Sequence, residues 1–176
     1  MTSLWILSHH YSSLSQINVL QPPNSTARNK KQALEEADKI GYPIIVRPSY
    51  VLGGRAMEIV HDKSQLKQFI NEAFKASEQN PILIDKFIDN AMEVDVDAIS
   101  DGKDVYVAGI MQHIEEAGIH SGDSACCLPP VSIKYNLLKE LKIQTRKLAL
   151  ALKVKGFLNI QFAIKKDEIF VIEVNP

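Results

Sequence analysis

The order of elements predicts an α+β protein in two lobes: a small α+β lobe, then one dominated by antiparallel strands. Three observations carry this. Helix and strand patterns are mixed up to about Phe87. From Glu93 a period-two strand texture takes over, interrupted by one long amphipathic helical pattern. The chain then closes on two strand-like runs separated by a short polar turn.

Composition sets the bounds. A chain of 176 residues can bury a real core. Hydrophobic residues at 45% and charged residues at 23% are ordinary globular values. A net charge of −1 argues against nucleic-acid and membrane-surface partners, both of which favour a basic excess. No apolar run reaches the length of a membrane span. The two cysteines, Cys126 and Cys127, are adjacent, and read as reduced packing residues of a cytoplasmic protein. The leader Met1–Gln16 has no cationic start, and its apolar run Leu4–Leu7 is too short for a secretory signal. Poor order is expected up to about Ile17, with His9 and His10 part of a polar segment rather than a metal pair.

The elements follow in order. Gln21–Ser25 reads as a loop. Lys31–Ile40 is a helix with Ala33, Leu34, Ala37 and Ile40 on one stripe, stopped by Gly41 and Pro43. Ile44–Val46 is a buried strand, paired through the Gly53-Gly54 turn with Ala56–Val60. Asp62 and Gln65 resemble a capping box, opening a helix whose face is Leu66, Phe69, Ile70, Ala73 and Phe74. Pro81–Phe87 is a strand, and the seam between lobes is expected near Phe87–Ala91. Strands follow over Glu93–Ile99, Val105–His113 and Ser124–Leu128, then a helix over about Ser132–Lys153 with Leu137, Leu141, Leu148 and Leu152 inward. Gly156–Ile164 and Ile169–Val174 form the closing hairpin.

Four stretches carry chemistry. In Val46-Arg47-Pro48-Ser49-Tyr50-Val51-Leu52-Gly53-Gly54-Arg55, the glycines let backbone N–H groups approach phosphate oxygens, and Arg47 and Arg55 supply positive charge. This is not a Walker loop, and the tripeptide Gly-Gly-Arg alone is common. In Glu93-Val94-Asp95-Val96-Asp97, the three carboxylates share one strand face and repel unless cations or donors sit among them. The loop Glu115–Ser124, with two glycines, His120 and small hydroxyls, suits a ligand contact.

The terminal hairpin is the fourth. Alternation puts Phe162, Ile164, Phe170 and Ile172 on an apolar face, and Asn159, Gln161, Glu173 and Asn175 on the other. With a three-residue turn at Lys166-Asp167-Glu168, Lys165 pairs with Ile169, Gln161 faces Glu173 and Asn159 faces Asn175. That clusters one carboxylate and three amides, oxygen donors suited to Mg²⁺ beside substrate phosphates.

The runs VRPSYVLGGRAMEIV, EVDVDAISDG, GIHSGDSAC and NIQFAI…VIEVNP, in that order, resemble the large chain of carbamoyl-phosphate synthetase over about Ile17–Pro176. The similarity is greatest to the ATP-grasp domain of its C-terminal half, which phosphorylates carbamate. The resemblance implies an ATP-grasp fold, a lid lobe over about 27–88 and an ATP and metal lobe over about 89–176. It implies that Arg47, Gly53 and Gly54 contact ATP phosphates and that Arg55 lies near carbamate or the γ-phosphate. Lys86 and Ile88 line the adenine end, and Glu93 holds the ribose. Gly118, Ile119, His120 and Ser121 form the opposite wall, with His120 also a catalytic residue. Gln161, Glu173 and Asn175 ligate Mg²⁺ or Mn²⁺, and the loop Glu115–Ser124 holds K⁺.

The implied reaction makes carbamoyl phosphate and ADP from ATP and carbamate, itself derived from bicarbonate, for arginine and pyrimidine synthesis. A small glutamine-amidotransferase chain is the implied partner. Relatives continue past Asn-Pro with an arginine, so the resemblance implies a fragment. An inactive or nucleotide-binding-only piece and another ATP-grasp ligase are the alternatives.

Overall fold

The computed structural model describes residues 17–48, 57–77, 80–115 and 124–176. They form two compact units, Pro22–Asp89 and Asn90–Pro176, the latter joined by residues 17–21.

The first unit is an antiparallel sheet with two helices against one face. Its strands are β1 (Asn24–Ala27), β2 (Ile44–Pro48), β3 (Glu58–Val60) and β4 (Ile82–Lys86), in the order β1-β4-β2-β3. The region read as a loop therefore becomes strand at Asn24, because pairing with Asp85–Ile82 of β4 supplies hydrogen bonds that local propensity does not foresee. The helices are α1 (Lys30–Ile40) and α2 (Lys63–Ala76). Both start with the same device. Asn29 Oδ1 accepts from Gln32 N and Asp62 Oδ1 from Ser64 N and Gln65 N, while the glutamine oxygens accept from the amides of Arg28 and His61. The expected box at Asp62 is present, and Asn29-Lys30-Lys31-Gln32 is its unforeseen twin. Gly41 ends α1 at φ 79, a left-handed conformation, its N–H bonded to Ala37 O. The buried face of β2 is Ile44 and Val46, closed against Ala33, Ala37, Leu66, Ile70 and Ala73. Phe69 and Phe74 are only partly buried at its margin.

The second unit is a five-stranded antiparallel sheet, order β7-β6-β5-β8-β9. It comprises β5 (Met92–Ser100), β6 (Val105–His113), β7 (Cys126–Cys127), β8 (Gly156–Lys165) and β9 (Glu168–Asn175). One helix, α3 (Tyr135–Ala151), covers one face, starting later than the pattern suggested. Leu137, Leu141 and Leu148 of α3 pack with Val94, Val96, Leu158, Ile160, Phe162 and Val174. Leu152, read as inward, lies partly buried beyond the helix. Gln112, on the covered face, accepts from the Val131 and Ser132 amides and donates to Ser132 Oγ, fixing the approach to α3. Among the described residues, no helix is long and apolar enough to cross a membrane.

Candidate functional site

The face of the five-stranded sheet opposite α3 gathers most of the polar residues singled out in the second half of the chain. In β5 the alternation works as expected: Val94 and Val96 are buried, while Glu93, Asp95 and Asp97 stand on the other face. β8 lies beside β5 with Asp95 opposite Gln161 and Asp97 opposite Asn159. β9 lies beside β8 with Gln161 opposite Glu173 and Asn159 opposite Asn175. Glu93, Asp95, Asp97, Asn159, Gln161, Glu173 and Asn175 thus occupy three adjacent strands of one face.

The pairing of Gln161 with Glu173 is as expected, but its cause differs. The turn has two residues, Lys166 and Asp167, at φ 50 and 68, and Lys165 pairs with Glu168. Continued regularly, that hairpin would set Gln161 opposite Ile172. A bulge between Gln161 and Phe162 inserts Ile172 as an extra residue and brings Glu173 opposite Gln161. The same bulge corrects the expected apolar face of β9. Ile169, Val171 and Val174 are buried, whereas Phe170 and Ile172 are only half-buried, because side-chain parity reverses across an inserted residue.

Donors lie among the carboxylates. His113, the last residue of β6, is 4% exposed and places Nε2 3.0 Å from Asp95 Oδ2 and Nδ1 3.5 Å from Glu93 Oε2. Asn159 Nδ2 donates to Asp97 Oδ1 at 2.8 Å, and Asn175 Nδ2 donates to Asn159 Oδ1 at 3.4 Å. Each amide of that relay donates one N–H to its neighbour, and no bond of the relay uses the Asn175 oxygen. Sequence reasoning did not mark His113; its signal was a histidine closing the strand next to an acidic strand. Cys126, opposite His113 on β7, is exposed rather than a packing residue. Desolvation first, then the charges of Asp95 and Glu115, push its thiol above the usual range, so it is no ready nucleophile.

Arg47, Lys86 and Ile88 belong to the first unit. Arg47 extends from β2 on the sheet face opposite the helices, and its Nε lies 2.9 Å from Asp85 Oδ2, each side chain 17% exposed. The distance suits a hydrogen bond but the direction does not, so charge holds the pair. Burial pushes the Asp85 carboxyl above its usual range against the pull of Arg47. Lys86 Nζ donates to the carbonyls of Gly41 and Tyr42 at 2.9 and 2.8 Å, keeping one donor for other use. Ile88, just past β4, is half-buried. Gly53, Gly54, Arg55, Gly118, Ile119, His120 and Ser121 lie outside the described residues.

The oxygen donors of this face suit a hard cation that draws most of its ligands from elsewhere. Among the described residues, no group of three histidine, cysteine, aspartate or glutamate side chains is arranged to hold a metal. Glu173 with the oxygens of Gln161 and Asn175 offers one charge and two neutral donors, which matches Mg²⁺ bound chiefly through a substrate's phosphates.

Residues 8–176 match the family described as carbamoyl-phosphate synthase L chain, ATP binding domain. The chain is 56% identical over 161 residues to the carbamoyl phosphate synthase large chain, C-terminal section, of Aquifex aeolicus, covering 92% of this chain and 30% of that one. It is 56% identical over 163 residues to the carbamoyl phosphate synthase large chain of Campylobacter jejuni, covering 93% and 15%. The chain therefore spans less than a third of the length of these relatives. In fold it is similar to the biotin carboxylase domain of Hydrogenobacter thermophilus 2-oxoglutarate carboxylase, solved with MgADP, ADP and bicarbonate. That likeness has a TM-score of 0.75 at 20% identity, covering 93% of this chain and 38% of that one. The fold is ATP-grasp, and with its sequence matched almost throughout, the chain belongs to the ATP-binding domain family of the carbamoyl-phosphate synthase large chain.

Proposed function

We propose that this chain binds Mg·ATP and supplies the nucleotide and metal surfaces for phosphorylating carbamate to carbamoyl phosphate in an ATP-dependent ligase. The observation that carries the reading is the face on which Glu173, Gln161, Asn159 and Asn175 meet across β8 and β9. Glu173, Gln161 and Asn175 would hold Mg²⁺, or Mn²⁺ with the same oxygen preference. When bound, the ion neutralises charge on the phosphates.

The chain's own residues do the rest. Arg47 adds a fixed positive charge at a phosphate, and Asp85 keeps the guanidinium from wandering. Glu93 accepts from the sugar hydroxyls, and Lys86 and Ile88 line the adenine end. Gly53, Gly54 and Arg55 close over the phosphates and the carbamate. Gly118, Ile119, His120 and Ser121 also contact the nucleotide, and the same loop holds K⁺. Such transfer needs positioning and charge neutralisation more than a covalent nucleophile. Bicarbonate as carbamate source, a glutamine-amidotransferase partner and a cytoplasmic setting belong to the same reading.

Titration calorimetry of Glu173→Gln tests it. The substitution removes the one carboxylate among the three ligands, so Mg·ATP affinity falls about tenfold or more while affinity without Mg²⁺ changes little. Equal Mg·ATP affinity in variant and parent would sink the assignment.

A further inference from the structure

We propose that Asp97 is a positioning residue for the divalent cation: acting through Asn159, it fixes the sense of the Asn175 amide, so that oxygen rather than nitrogen is the atom offered. The inference rests on the reading of Asn175 as a cation ligand. Three observations carry it. Asp97, Asn159 and Asn175 are directly paired residues of β5, β8 and β9, and β8 sets Asn159 between the other two. Asn159 Nδ2 donates to Asp97 Oδ1 at 2.8 Å. Asn175 Nδ2 donates to Asn159 Oδ1 at 3.4 Å.

The direction of that relay has one source. An amide side chain carries an oxygen and a nitrogen of nearly the same shape, and either can face a neighbour. Two asparagines side by side bond equally well in either sense. An ionised carboxylate only accepts, so Asp97, exposed on β5, draws the Asn159 nitrogen to itself. That leaves the Asn159 oxygen on the β9 side, where it calls for a donor, and Asn175 supplies its nitrogen. The Asn175 oxygen then lies outside the relay. Turned over, Asn175 would set oxygen against oxygen and offer the ion an N–H₂ group in place of the oxygen that a hard cation takes. The second link is neutral and long, so the correct sense outweighs the wrong one by about 2- to 12-fold.

Calorimetry measures Kd of the 176-residue chain for Mg·ATP. Asp97→Lys puts a donor-only group where the acceptor stood. It draws the Asn159 oxygen to itself, turns the Asn159 nitrogen toward Asn175 and so takes the Asn175 oxygen from the ion. The new charge also acts directly on the ion and the phosphates. Asn175→Asp separates the two effects, because a carboxylate offers oxygen in either sense and needs none set. The Kd increase caused by Asp97→Lys is therefore about 2- to 12-fold larger beside Asn175 than in the Asn175→Asp background. Asp97→Ala leaves the sense unset, and its difference between the two backgrounds is below about twofold. Asn175→Ala weakens Mg·ATP binding by itself, which checks the ligand reading. Thermal melting reports folding. Should Asp97→Lys not fold, Asp97→Arg, also donor-only, gives the same difference.

An Asp97→Lys effect of the same size in both backgrounds, with binding still weakened by Asn175→Ala, overturns the proposal and leaves the ligand reading standing. That is the result of a charge acting through space or of a purely structural Asp97. A larger effect in the Asn175→Asp background overturns the proposal too. Unchanged Mg·ATP affinity in Asn175→Ala, or a parent that does not bind Mg·ATP, overturns the ligand reading and this inference with it.

Discussion

Arg47 and Asp85 make a buried pair whose energetics can be worked through before any measurement. At 2.9 Å the attraction is about 6 kcal/mol for an effective dielectric of 20. Against it stands the loss of water by two side chains that are each 17% exposed. The guanidinium N–H does not lie along the contact, so no well-directed hydrogen bond offsets that loss. Desolvation outweighs Arg47 at the carboxyl, whose pKa is raised rather than lowered.

The two single truncations should therefore differ. Asp85→Leu strands a guanidinium that cannot give up its proton and costs about 3 to 5 kcal/mol. Arg47→Met strands a carboxyl that can take one up, and costs less. The double variant Arg47→Met with Asp85→Leu should come within about 1 kcal/mol of the parent or exceed it. Urea unfolding of the four proteins at pH 7 closes the cycle. Additivity of the single changes to within about 0.5 kcal/mol would refute the reasoning, because residues in contact must couple. The pH dependence has a definite sign. With the folded pKa above the unfolded value of about 3.9, the native state takes up the proton first. Stability from this group thus rises as pH falls through the folded pKa and levels off below the unfolded one; Asp85→Asn removes that contribution.

Three further outcomes follow from the packing. Leu141 is fully buried under the sheet, so Leu141→Ala should lower unfolding free energy by about 2 to 5 kcal/mol, read as a urea midpoint shift at constant slope. Asp62→Ala removes the acceptor for two amides at the start of α2 and should cost about 1 kcal/mol by the same assay. Replacing Lys166-Asp167 by Asn-Gly should stabilise by about 0.5 to 1 kcal/mol, since both positions hold positive φ. The lost Lys134–Asp167 pair is exposed and contributes little. A destabilised Asn-Gly variant would mean that the turn is not the two-residue form.

The sequence by itself determined which residues can share a face. Period-two alternation in Glu93–Asp97 and helical period in Leu137–Leu148 are properties of the backbone, and they hold wherever the segments dock. The caps at Asn29 and Asp62 were local in the same way, though only the second was read. Gly41 marked the end of α1 because its left-handed φ disfavours most other residues.

Only the tertiary structure decided which faces meet. β5 lies between β6 and β8: its non-sequential pairing with β8 puts Asp95 beside Gln161, and its pairing with β6 brings His113 between Glu93 and Asp95. The bulge at Ile172 is equally invisible in one strand, because it is a mismatch between two. Without it, Glu173 would turn toward the core and Val174 toward the polar face. One inserted residue therefore satisfies a two-residue turn, a buried Val174 and a Glu173 on the polar face at once, and pairing rather than propensity is what selects it.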